Sequence, residues 1–155
     1  MRKSMAVFFA LAVLAAGGAA WALDTNTLTV QASVTGTCKF QAPKTSTLNF
    51  GALDPSGGDV TASTTTQFWC TKGVTLLPFT SGTGLNFAGG KNQMKDATSG
   101  DVIPYTIDSL NPDGSSNAGP GSPRTLTIAG TVLATDYTTK SAGSYSDTVT
   151  LTINP

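Results

Sequence analysis

The side chains able to do chemistry in this chain are few and mostly of one kind. All nine of its acidic residues are aspartates, and the 155 residues include no histidine. Two aspartate pairs, Asp54 with Asp59 and Asp96 with Asp101, flank glycine-rich turns. Paired carboxylates are the equipment of general acid–base hydrolysis. Aspartates in turns, however, more commonly accept hydrogen bonds from nearby main-chain amides. With no imidazole, any catalysis would fall to Asp, Tyr, Lys or Ser. The expectation is a chain that is not an enzyme, with no catalytic residue.

Binding chemistry is equally thin. Ser109, Asn111, Asp113 and Ser116 alternate like the oxygen ligands of a calcium loop. Pro120 stands where the closing acidic ligand belongs, and Asn111-Pro112-Asp113-Gly114 is first of all a turn sequence. No metal or cofactor site is expected. Trp69, Phe87 and Tyr137 would make a sugar platform if exposed together, but aromatic side chains in a small β domain more commonly serve the core or subunit contacts.

Cys38 and Cys70 are the only cysteines. In an exported protein a disulfide is their default state, ahead of a two-cysteine metal site or free thiols. Export is expected from residues 1–22. Arg2 and Lys3 precede an apolar run, and Ala20-Trp21-Ala22 fits a signal-peptidase site, with cleavage after Ala22. The alternative, a membrane anchor, suits the run poorly because it is short and contains Gly17 and Gly18. No stable membrane insertion is expected after cleavage. The remainder carries seven basic residues against nine aspartates, 7 − 9 = −2. The basic residues are scattered, with no stripe to neutralise phosphates, so no nucleic-acid partner is expected.

The elements that must position these residues are strands. Leu28, Val30, Ala32 and Val34 alternate with polar residues over 24–34, the period of a strand with one apolar face. Similar patterns predict strands over 45–50, with Leu48 and Phe50 on one face, and over 60–70, with Phe68 and Cys70 inward. Further strands are expected over 74–80, with Leu77 and Phe79 together, and over 102–107, with Ile103, Tyr105 and Ile107. The last two run over 124–134, with Leu126, Ile128 and Val132, and over 145–153. Gly, Pro, Asn and Asp clusters separate them, and no segment has a helical period. This is an all-β chain, one domain arranged as an immunoglobulin-like β-sandwich.

Several short pieces, in order, resemble the spore coat protein U domain family, whose members include pilin subunits of archaic chaperone–usher pili. They are Gly36-Thr37-Cys38 after the alternating strand, Leu48-Asn49-Phe50-Gly51, and Phe68-Trp69-Cys70-Thr71-Lys72-Gly73. Asn92-Gln93-Met94 with Ile103-Pro104-Tyr105-Thr106-Ile107 follows, then Gly143-Ser144-Tyr145-Ser146-Asp147-Thr148-Val149.

The resemblance implies a signal peptide over 1–22, an N-terminal donor strand over 23–35 and a pilin sandwich over 36–155 that lacks its last strand. A periplasmic chaperone would fill the open groove first. At an outer-membrane usher, the donor strand of another copy or a sibling pilin would replace it. Leu28, Val30, Ala32 and Val34 would be the plugs; Tyr145, Val149, Leu151 and Ile153 would border the acceptor groove. The product would be a surface pilus or fimbria supporting adhesion and biofilm formation. A single domain leaves no separate receptor-binding domain, so a tip adhesin is not expected. The competing reading is a self-contained secreted spore-coat or matrix protein whose first strand closes its own sheet.

Overall fold

The computed structural model describes residues 23–76 and 78–155. The expected signal peptide and Leu77 lie outside the described residues. The chain divides into two units, Met1–Ser33 and Val34–Pro155. In the first, residues 23–33 form no ladder, and Leu28, Val30 and Ala32 are exposed.

The second unit is all-β apart from one helical turn. Strands β1 (Cys38–Phe40), β2 (Val60–Cys70), β3 (Thr80–Ser81), β4 (Asn92–Asp96), β5 (Val102–Pro112) and β6 (Arg124–Val132) come first. A single turn, α1 (Ala134–Tyr137), and the short strands β7 (Tyr145–Ser146) and β8 (Leu151–Thr152) complete it. The larger sheet has the order β1-β2-β6-β5-β4-β7, with every pairing antiparallel; β3 and β8 pair separately.

The alternating pattern explains the sheet. Along β2 the inward positions deepen from half-buried Val60 to fully buried Phe68 and Cys70. Along β6 every second residue, Arg124, Leu126, Ile128, Gly130 and Val132, is buried. Phe68, Leu126 and Ile128 form one core cluster with Phe79, covered by Leu76, Leu151 and Ile153 from the β3–β8 side. Ile103, Tyr105, Val132 and Tyr137 form a second. Two sheets closing on a shared apolar core make the expected sandwich. Cys38 and Cys70 are register partners and are joined by a disulfide.

Some expectations need correction. Residues 45–50 form no strand, although Leu48 and Phe50 do point inward together. Of the described residues of 74–80 only Thr80 enters a ladder, and 145–153 is strand only over Tyr145–Ser146 and Leu151–Thr152. Alternation reports which side chains are buried; a ladder also needs a neighbour for the main chain, and these segments lack one over much of their length. Residues 134–137 are a helical turn, too short to show a period. Tyr137 is 3% exposed, its hydroxyl donating to the Gly58 carbonyl at 2.6 Å, so it belongs to no sugar platform.

Candidate functional site

The aspartate pairs do not converge on a shared proton. Asp54 accepts from the Ser56 amide and hydroxyl at 2.9 and 2.8 Å, and Asp59 from the Ala134 amide at 2.8 Å. Asp96 takes the Ser99 amide and hydroxyl at 2.7 and 2.8 Å; Asp101 takes the Ser141 amide at 2.9 Å. Hydrogen bonds from Ser56 lower the Asp54 pKa, with the main-chain amide foremost, and Ser99 acts likewise on Asp96. Asp101 is lowered by Ser141. All four are capping carboxylates, and the lowered pKa of Asp54, Asp96 and Asp101 is the opposite of what a general acid needs. Asp113, the centre of the calcium-like loop, is occupied by the Arg124 guanidinium at 3.0 Å and the Thr125 amide at 2.7 Å. Ser109 and Asn111 lie within β5 rather than in a loop.

What the fold does build is an open cleft of about 930 Å³ on the apolar face of the larger sheet. Ile103, Tyr105 and Ile107 of β5 and Ile128 of β6 form its floor. One wall is the segment 46–53, which presents Leu48, Phe50 and Leu53. The other is 143–149 with Leu151, presenting Tyr145 and Val149. Of the four residues expected to border an acceptor groove, Tyr145, Val149 and Leu151 line this cleft. Ile153 instead packs against the cluster around Phe68.

Glycine shapes the floor at one point. Gly130 pairs with Ile107, and a Cβ there would lie 2.5 Å from the Thr106 carbonyl oxygen and 2.9 Å from Leu48 Cδ2. The bare main chain lets Leu48 sit down onto the sheet. Phe50 follows it, its ring centroid 6.2 Å from that of Tyr105.

Both walls have unused main-chain groups. Among the described residues, no main-chain hydrogen bond ties 45–53 to another element; the Gly51 amide is met only by the Asn49 side chain at 2.9 Å. On the far wall, the carbonyls of Thr148 and Thr150 accept from Leu85 and Gly82 at 3.2 and 2.8 Å, on the side away from the cleft. An extended chain points the N–H and C=O of the intervening Val149 to the other edge. Two strand-like edges thus face each other across an apolar floor, each with main-chain groups not used within the fold.

Sequence reasoning marked the far wall and missed the near one. The alternation of Leu48 and Phe50 predicts an ordinary strand face, while the glycine at 130, interrupting the inward set of β6, is the signal that something approaches there. It also missed that Tyr105 touches both walls. Its ring packs on Phe50, and its hydroxyl donates to Asp147 Oδ2 at 2.7 Å. Burial, and then the Asp147 hydrogen bond, push the phenol well above its ordinary pKa, so it is a permanent donor.

Fold and site thus define a disulfide-linked, two-sheet β protein with an open apolar cleft. The chain belongs to the Spore Coat Protein U domain family, which matches residues 24–152. Comparison with curated proteins finds no match. Among solved structures it is similar to a chain of the CsuC–CsuE chaperone–tip adhesion subunit pre-assembly complex, from the archaic chaperone–usher Csu pili of Acinetobacter baumannii. Identity is 19%, with a TM-score of 0.49, and the alignment covers 78% of this chain and 40% of that one. This chain therefore spans less than half the length of the chain it matches.

Proposed function

We propose that this protein is a structural subunit of a surface pilus, assembled by the chaperone–usher route through donor-strand exchange. The observation that carries the reading is the cleft, with unused main-chain groups on both walls and an apolar floor between them. Such an edge aggregates unless something fills it. The candidate filler is carried by every copy. Leu28, Val30, Ala32 and Val34 alternate over 24–34, and Leu28, Val30 and Val34 are more than 80% exposed. Eleven extended residues reach about 36 Å, enough to run the length of a neighbouring sandwich.

One copy's segment in the next copy's cleft is a head-to-tail contact, which propagates as a fibre rather than closing. Each new subunit would need the cleft protected before assembly. A periplasmic chaperone would supply that protection and an outer-membrane usher would direct the exchange. In this reading the protein is exported, structural rather than catalytic, and serves adhesion and biofilm formation at the cell surface.

Deleting residues 24–34 tests the proposal. The expected product is a folded subunit that a chaperone still binds and that forms no polymer on gel filtration or in electron micrographs. Fibres from the deleted chain would overturn the reading and favour a self-contained coat or matrix protein.

A further inference from the structure

We propose that Tyr105 and Asp147 form a positioning latch that holds the 145–151 wall open at the width an incoming strand requires. The proposal rests on the reading of the cleft as a strand acceptor.

The wall needs such a device. Between β7 and β8 the residues 147–150 have no ladder of their own. Two main-chain bonds, Leu85 N–H to the Thr148 carbonyl and Gly82 N–H to the Thr150 carbonyl, hold them from outside. Asp147 adds the link inward. One carboxylate oxygen accepts from the Tyr105 hydroxyl on the floor at 2.7 Å. The other accepts from the Asn86 amide and side chain at 3.3 and 3.4 Å.

The carboxylate occupies space that Gly84 leaves for it. A Cβ at position 84 would fall on the Asp147 carboxylate. The Gly84 amide is itself fixed by Asn92 Oδ1 at 2.8 Å. Floor, wall and outer loop are therefore joined at one side chain.

Tyr105 reaches both sides, with Phe50 of the near wall against its ring and Asp147 of the far wall on its hydroxyl. Loss of the hydroxyl leaves that packing intact and releases only the far wall. A charge-assisted bond of this kind is also stronger than a neutral one. An untethered wall would sample widths at which an inserted strand bonds one edge and not the other, and capture would pay for that freedom.

The test is Tyr105→Phe in the full chain, probed with a fluorescent peptide of residues 24–34. Asp113→Asn serves as control, because it weakens the fold outside the cleft lining. Expected is a peptide affinity lower by about tenfold in Tyr105→Phe, with faster hydrogen exchange at the Leu85 amide. Asp147→Ala should behave alike, while Asp147→Asn, which keeps an acceptor oxygen, should recover part of the affinity. Asp113→Asn should bind as the parent does.

Two results would overturn the latch while leaving the acceptor reading in place. One is parental affinity in Tyr105→Phe; the other is an equal loss in Asp113→Asn, which would mark a general stability effect. If the parent chain itself captures no peptide, the acceptor reading fails and the latch falls with it.

Discussion

Leu48 sits over Gly130, eighty-two residues further along the chain, at a distance that excludes any side chain on the glycine: a Cβ would come within 2.9 Å of Leu48 Cδ2. The near wall of the cleft is therefore placed by a missing methyl group in the middle of β6. Gly130→Ala should displace Leu48 and strain the β5–β6 ladder at Thr106, whose carbonyl oxygen would be 2.5 Å away. Overpacking of this type costs about 1–3 kcal/mol. Urea unfolding of the variant should show that loss with an unchanged slope.

The Cys38–Cys70 disulfide fastens the short strand β1 to the end of β2, 32 residues on. In the chain-entropy model a loop of this length contributes about 3–4 kcal/mol by restricting the unfolded chain. The paired variant Cys38→Ala/Cys70→Ala should lose most of that, measured by denaturant midpoint. Reduction of the parent protein should reproduce the loss.

What was legible in the chain, and what was not, follows from how each residue is used. Phe68 and Cys70 of β2, and Leu126, Ile128 and Val132 of β6, were readable because one buried sheet face forces period two. The disulfide was readable from export and cysteine count. The 45–53 segment also alternates, and its apolar residues do turn inward, yet it is not a strand. Hydropathy records where a side chain goes and carries no information on whether the main chain finds a partner. For the cleft, that missing partner is the essential feature. The Tyr105–Asp147 contact joins residues 42 apart in sequence through one hydroxyl; no local pattern encodes it. Tyr137 serves the core, as its residue type suggests, and the Gly58 carbonyl is the partner for its hydroxyl there.

Arg124 is 8% exposed, a cation with one layer of partners. Its Nε donates to Asp113 at 3.0 Å and Nη1 to Asn117 Oδ1 at 2.8 Å, and its guanidinium carbon lies 5.1 Å from the Phe68 ring centroid. The Thr125 amide, foremost, and the Arg124 guanidinium hold the Asp113 carboxyl down to about 2. A carboxylate depressed on folding stabilises the folded state above its unfolded pKa of about 3.9, and that stability is lost as pH falls through its folded value. Stability should therefore decline between about pH 4 and pH 2. Asp113→Asn should be less stable at pH 7 by about 1–3 kcal/mol, since Arg124 keeps its charge and loses its anion. The gap between the two proteins should shrink as pH drops from 4 to 2, followed by urea titrations at each pH. A constant gap would mean that the Asp113 charge contributes nothing.

Val30 separates the role of the N-terminal segment from the stability of the fold. At 82% exposure its side chain makes little contribution to the subunit's own core. Val30→Asp should therefore change the unfolding free energy by less than about 0.5 kcal/mol. In a neighbour's apolar cleft the same position would have to bury a carboxylate over the uncharged floor residues Ile103, Tyr105, Ile107 and Ile128, with Lys140 the cation in the cleft lining. Losing the valine forfeits about 1.5–3 kcal/mol of burial, and desolvating the charge adds to it. Capture of the variant segment should fall by on the order of 100-fold. Polymer yield should fall in step while the melting curve of the monomer stays where it was. Thr29→Asp is the internal control, because its neighbouring side chain faces the opposite side of an extended segment. A segment that plugs a cleft through one face tolerates the charge at 29 and rejects it at 30. A segment that acts only as a flexible tether treats both alike, and that equality would rule out strand insertion.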